Sequence, residues 1–131
     1  MSETPAYRTF ADFEPGAHVG SIVLPLEPSL LSAWERIGHP VTDNRLPPGL
    51  LVALLMRGYA QVVDRRPPGN VHAGLTVEFV DDRLSDTGLR LSVDCADATL
   101  RKGRRWVEFD TEQSSGDRCL TRARLTLLWA M

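Results

Sequence analysis

A single strongly apolar segment, Leu50–Asp64, limits what this chain can fold into. At helical spacing its apolar side chains cover nearly every face in the first two turns, and its plainly polar side chains are Arg57, Gln61 and Asp64. A helix that is hydrophobic all round is buried all round, so the rest of the chain must enclose it. Its interior glycine, Gly58, costs about 1 kcal/mol of helix propensity and predicts close approach of another backbone.

The pattern after this helix changes to a period of two, which is typical of half-buried strands. Apolar side chains take every second position in four segments, residues 71–79, 89–95, 107–109 and 119–129. Before the helix, the sequence predicts a strand over 18–26 and a short helix over 30–37. Strands with one apolar face need a cover, and the apolar helix is the element available. We therefore predict an α+β fold, in which a curved antiparallel sheet with a four-strand meander wraps around one central helix.

Size and charge exclude several classes of protein. The 131 residues predict one domain over residues 1–131. A formal charge of −2 gives no basic excess for a nucleic-acid binder, and the three histidines have no metal-ligand spacing. The start of the chain lacks the pattern of a secretory signal, and the apolar run over 50–56 is far shorter than the ~20 residues of a membrane span. We expect a cytoplasmic protein without metal, membrane or nucleic acid.

Four stretches of the chain resemble one known family. FADFEPGAHVGS is similar to its opening F-x-D-x-x-x-G segment, and PPGLLVALLMRGY resembles the start of its apolar helix. PGNVHAGLTVEFVDDRLSDTGLRLSV and GRRWVEFDTEQSSGDRCLTRARLTLLW are similar to its strand segments. On these residues the chain resembles the MaoC-like acyl-CoA hydratase/dehydratase family, which implies the hot-dog fold.

This resemblance also implies a reaction and a site. Its hydratases are lyases that add water to a 2-enoyl thioester of coenzyme A or an acyl carrier, with the thioester as substrate and no further cofactor. A backbone N–H at the start of the central helix holds the enolate oxygen, a role that falls here on Gly49. The family motif G-D-x-N-P-x-H overlies residues 38–44 and is not intact. His39 stands where the motif has Asp, and Asn44 stands where it has His. Two interpretations stay open: His39 and Asp43 form a rearranged catalytic pair, or the loop is a solvated connection in which Asp43 caps a turn and the reaction is lost.

The remaining expectations follow from the same resemblance. The expected substrate-binding residues are Asn44, Pro48, Leu50 and Tyr59. Two other functions stay open: a non-catalytic hot-dog subunit that binds ligand or pairs with an active relative, and an acyl-CoA thioesterase using Asp43 or Asp64. Pairing is expected along the strand Val71–Val80, with a second copy or another hot-dog subunit. A basic cluster over 101–105 either meets coenzyme A phosphates or is a solvated hairpin turn.

Overall fold

A computed structural model describes residues 6–36, 45–85 and 88–131 of the chain. A 3-10 turn at Phe10–Asp12 precedes two helices and five strands. In chain order these are β1 (His18–Pro25), α1 (Pro28–Arg36), α2 (Pro48–Val62), β2 (Val71–Phe79), β3 (Gly88–Arg101), β4 (Arg104–Ser115) and β5 (Arg118–Trp129). The α+β class and the central helix are confirmed, since an antiparallel sheet curves around α2. Among the described residues, no helix is long and apolar enough to cross a membrane.

The order of the strands differs from the predicted meander. The sheet runs β1-β3-β4-β5-β2, so β2 pairs with β5 and not with its neighbour in the chain, β3. The meander is limited to β3, β4 and β5, which the two hairpins join. Our prediction of four consecutive paired strands was wrong. The alternation shows which face of a strand is buried, but it does not show which strand lies beside it in the sheet. The crossover leaves β1 and β2 as the two edges of the sheet.

The far half of α2 lies in an aromatic core. Phe13 contacts Phe109 and Trp129 edge to face, with ring centroids 5.3 and 4.7 Å apart. Tyr59 of α2 lies 5.7 Å from the Phe109 ring. A Cβ at Gly58 would lie only 2.6 Å from Leu91 Cδ2, so the predicted close approach exists. It is made by a side chain of β3, and not by a backbone as we expected.

Strand β2 departs from the simple rule that its apolar face is buried. Val77 packs against the core, whereas Val71, Leu75 and Phe79 are exposed. An irregularity in the pairing with β5 between His72 and Gly74 places Val71 on the outer face of the sheet. Leu75 and Phe79 share the inner face with Val77 and are exposed at the edge of the sheet. The edge strand therefore carries an apolar surface that the described part of the chain leaves open to solvent.

Candidate functional site

The first turn of α2 has free backbone donors. Pro47 precedes the helix in an extended conformation, Pro48 opens it, and no side chain among the described residues caps it. Leu51 donates its N–H to the Pro47 carbonyl at 3.1 Å, which leaves Gly49 and Leu50 to supply the N–H groups without an intrahelical acceptor. These groups and the positive end of the helix dipole favour an anion or a developing negative charge.

A cleft of about 490 Å³ opens beside this turn, and we call it the α2-start cleft. Pro48 and Leu51 form its helix side, and Phe79 and Val80 at the end of β2 form the facing side. Its lining residues are Arg45, Leu46, Pro48, Leu51, Phe79, Val80, Asp81, Asp82, Arg83 and Arg118. The cleft thus combines an apolar floor with charged groups, which is the composition of many small-molecule sites.

Two ion pairs shape the charged side of the cleft. Arg118 binds the Asp81 carboxylate at 2.8 Å, and Arg45 binds Asp82 at 3.0 Å. The hydrogen bond from Arg118 and the N–H of Arg83 hold the pKa of Asp81 below its usual range, so this carboxyl is ionised near neutral pH. Within the described ranges, Arg83 has no carboxylate partner and is the cation of the cleft that is left to meet a ligand.

The sequence-predicted residues fall in different places. His39, Asp43 and Asn44 lie outside the described residues. Pro48 lines the cleft, and Gly49 follows it on the exposed surface, where a Cβ would lie 3.4 Å from the Trp34 ring of α1.

Three further candidates lie away from the cleft or beneath it. Leu50 is fully buried among leucines, so its backbone and not its side chain is available near the cleft. Tyr59 is buried eleven residues along α2 from Pro48, roughly 16 Å further along the helix, and lies in the aromatic core. Asp64 follows the far end of α2, where Arg8 binds it at 2.9 Å and lowers its pKa. The structure does not bring Tyr59 or Asp64 to the α2-start cleft.

A buried polar pair supports the first turn of α2 from below. Gln113 of β4 donates its amide to the Leu51 carbonyl at 3.2 Å, and Thr121 of β5 donates its hydroxyl to the Gln113 carbonyl at 2.9 Å. Both side chains are almost fully buried. The sequence analysis missed them, although Gln113 continues the inward-facing alternation set by Val107 and Phe109. A polar residue at an inward position of a strand is the signal that identifies such a pair.

A second depression of about 510 Å³ lies on the outer face of the sheet. One of its two arginines is already paired, since Arg124 binds both oxygens of Asp110 at 2.8 and 3.0 Å, and the other charged groups of its lining are mainly carboxylates. Within the described residues, no group of His, Cys, Asp or Glu side chains is placed to hold a metal ion. The α2-start cleft is therefore the better candidate site, because it offers unpaired donors next to apolar surface.

The fold matches solved structures closely, although the sequences have diverged. No protein-family model matches the sequence. No curated protein matches it either. A MaoC-like dehydratase from Rhodospirillum rubrum superposes with a TM-score of 0.78 at 13% identity, covering 95% of this chain and 98% of that one.

Two more solved structures show the same likeness. A monoamine oxidase regulatory protein from Archaeoglobus gives a TM-score of 0.76 at 11% identity, with 95% of each chain covered. A probable thioesterase from Bartonella henselae gives 0.62 at 9% identity, covering 87% of this chain and 90% of that one. Together these likenesses identify the hot-dog fold. The resemblance to MaoC-like dehydratases that the sequence indicated is confirmed at the level of fold.

Proposed function

We propose that this hot-dog protein binds an acyl thioester in the α2-start cleft and interconverts 2-enoyl and 3-hydroxyacyl thioesters. The observation that carries the proposal is the uncapped first turn of α2, whose free N–H groups stand beside a cleft with apolar lining. The similarity to a MaoC-like dehydratase supports the same chemistry. Fold by itself does not determine activity, so the weight rests on the site.

The proposed chemistry uses the helix start to hold negative charge. In hydration, water adds to C3 of the enoyl group while electrons move through C2 onto the thioester oxygen. The N–H of Gly49 is the donor that we assign to this oxygen, and the helix dipole adds to its effect. C2 then takes up a proton, and the C–S bond stays intact. Dehydration follows the same steps in reverse.

The proton transfers need a base and an acid close to the bound thioester. We assign them to His39 and Asp43, which precede α2 in the sequence. An imidazole has an ordinary pKa of ~6.5 and can give and take a proton near neutral pH. The described charges of the cleft support ligand binding rather than proton transfer, because Asp81 is held ionised by Arg118.

Pairing of two copies along β2 is the second part of the proposal. Strand β2 is an edge strand, and its exposed Leu75 and Phe79, on one face, give it an apolar surface next to unpaired backbone groups. The α2-start cleft lies at the Phe79 end of this strand, so a second copy there would close one side of it. Leu75→Lys is expected to give a monomer in light scattering, whereas a monomeric unmodified protein contradicts this pairing.

The test of activity is purified protein with crotonyl-coenzyme A, followed by loss of the enoyl absorbance and, in parallel, by release of free thiol. Loss of absorbance without thiol is expected for a hydratase. Release of thiol identifies a thioesterase and overturns the proposal. Ligand binding without either change indicates a non-catalytic subunit and also overturns it.

A matched pair of variants tests the role of Gly49. Gly49→Pro removes the N–H and is expected to lower kcat on the order of 100-fold, the effect of losing one oxyanion donor. Gly49→Ala keeps the N–H, and its Cβ finds ordinary contact distance to Trp34, so it should retain activity. Circular dichroism checks that both variants keep their helix content. His39→Ala and Asp43→Asn must also lose activity, and full activity in both contradicts their assignment.

A further inference from the structure

The turn between β3 and β4 presents three cations at the end of the sheet. Lys102 and Gly103 form the turn with positive φ values of 52° and 75°, the conformation of a tight two-residue hairpin. Arg101 and Arg104 flank it and pair directly across the two strands. We call Arg101, Lys102 and Arg104 the cationic hairpin, and all three are exposed.

The fold does not account for these charges. The next residue, Arg105, has a structural role, because it donates to the carbonyls of Trp129 and Ala130 at 3.2 and 2.6 Å. None of the three cations of the hairpin forms an ion pair with a residue that the structure describes. Like charges placed directly opposite on paired strands destabilise the pair, so Arg101 and Arg104 weaken the hairpin that carries them.

The cationic hairpin has an ordered arginine and an exposed apolar neighbour. The Arg101 guanidinium lies over the Trp106 ring, 4.9 Å from its centroid, and this cation–π contact orders the side chain. Leu100, beside it on β3, is 65% exposed. The surface thus combines ordered positive charge with an apolar contact, as the rims and anchors of protein interfaces do.

This surface is separate from the α2-start cleft. Strand β4 runs from Arg104 at the hairpin to Ser115, whose partner on β5 is Arg118 of the cleft. At about 3.4 Å per residue the two ends of the strand are separated by roughly 37 Å measured along the strand. Within one chain, a ligand seated in the cleft does not reach the cationic hairpin.

We propose that the cationic hairpin docks an acidic surface of a partner protein. The three cations and Trp106 line a depression of about 460 Å³, but none of these residues is buried. A small anion is disfavoured because small-ligand sites enclose most of their ligand. A long polyanion such as duplex DNA is disfavoured because the outer face of the same sheet carries exposed carboxylates, Asp94, Asp110 and Glu112. A limited acidic patch on a protein meets the three cations and Leu100 without reaching those carboxylates.

The experiment measures binding of labelled poly-L-glutamate by fluorescence anisotropy. The unmodified protein should bind at low salt and lose affinity as salt is added, since exposed charges are screened. Arg101→Glu/Arg104→Glu should weaken binding by about tenfold or more. Arg36→Glu/Arg90→Glu changes the net charge equally at two exposed arginines elsewhere and should leave binding within about twofold.

Several outcomes would overturn the proposal. These are no binding by the unmodified protein, equal loss in both double variants, or tighter binding to duplex DNA or to phosphatidylserine vesicles than to the polypeptide. Arg101→Lys/Arg104→Lys keeps the charge and should retain most of the binding, and its failure to do so also contradicts a charge-based docking surface. Because the hairpin tip is exposed, thermal unfolding should show little change in any of these variants.

Discussion

The two ends of α2 differ in their surroundings as well as in sequence, since Arg57 and Gln61 both lie in the far half. The starting end faces the α2-start cleft and rests on the polar pair of Gln113 and Thr121. The inward side of the far end lies among Phe13, Phe109 and Trp129. Arg66 donates to the carbonyls of its last turn. The starting end thus exposes backbone donors, and the far end stabilises the fold. The difference comes from what β4 and β5 place beneath each turn of the helix.

The largest effect that we expect is a loss of stability at alkaline pH, caused by Tyr59 at the far end of α2. Burial raises the pKa of Tyr59 to about 12, with a small opposing effect of Arg66. Between pH 10 and 12 the unfolded chain loses the phenol proton while the folded chain keeps it, so the free energy of unfolding falls as the pH rises. A shift of this size corresponds to about 2.7 kcal/mol. Urea unfolding at pH 9 to 12 measures the loss, and Tyr59→Phe should abolish that part of it.

The same variant tests whether Tyr59 is a packing residue. Its hydroxyl is buried without a hydrogen-bond partner among the described residues. Removing an unpaired buried hydroxyl should raise the free energy of unfolding at pH 7 by up to about 1 kcal/mol and leave thioester turnover unchanged. A variant that folds normally but loses turnover would bring Tyr59 into the site and break the contrast between the two ends.

A somewhat smaller effect is expected at the starting end. Gln113→Leu leaves the Thr121 hydroxyl buried without its acceptor and should cost about 2 kcal/mol. Thr121→Val should cost a similar amount, because it leaves the Gln113 carbonyl without its donor. The double variant should cost at least about 1 kcal/mol less than the two single losses together, since it removes both partners. Strictly additive losses would show that the pair does not act as a unit.

The smallest effect compares the two glycines of the helix. Alanine at Gly58 would crowd Leu91, and overpacking outweighs the gain in helix propensity, so we expect a net loss of about 1 kcal/mol. Alanine at Gly49 meets Trp34 at ordinary contact distance and should raise stability by up to about 1 kcal/mol. Thermal unfolding of both variants measures the difference, and a stabilising Gly58→Ala would contradict tight packing at the far end.

The elements of the fold could be predicted because their patterns are local. The apolar run over 50–64 and the alternation in β3 and β5 each lie within one segment and reveal the buried faces directly. The order of the strands is not local. Nothing in the alternation of β2 distinguishes β5 from β3 as its partner, and its apolar residues at an edge look the same as core residues.

The site was predictable only on its helix side. Pro48 and Gly49 are adjacent in the sequence and together indicate the start of a helix. The facing side of the cleft is formed by Phe79 and Arg118, which lie far apart in the sequence. The cluster of Asp81, Asp82 and Arg83 directly after an apolar strand is a signal that we did not use. Gln113 could also have been predicted from the alternation along β4, since it shares the inward face with Phe109.

The crossover of β2 has a consequence for how the chain folds. The β3–β4 and β4–β5 hairpins join neighbours in the chain and can form early, but β2 must wait for β5, the last strand to be synthesised. Pairings between distant segments close slowly because the chain entropy of the intervening loop must be lost first. During synthesis, therefore, β2 remains unpaired until β5 emerges, whereas α2 can pack earlier on β1 and β3. Destabilising changes in β5 should slow folding and promote aggregation of these intermediates more than equal changes in β1.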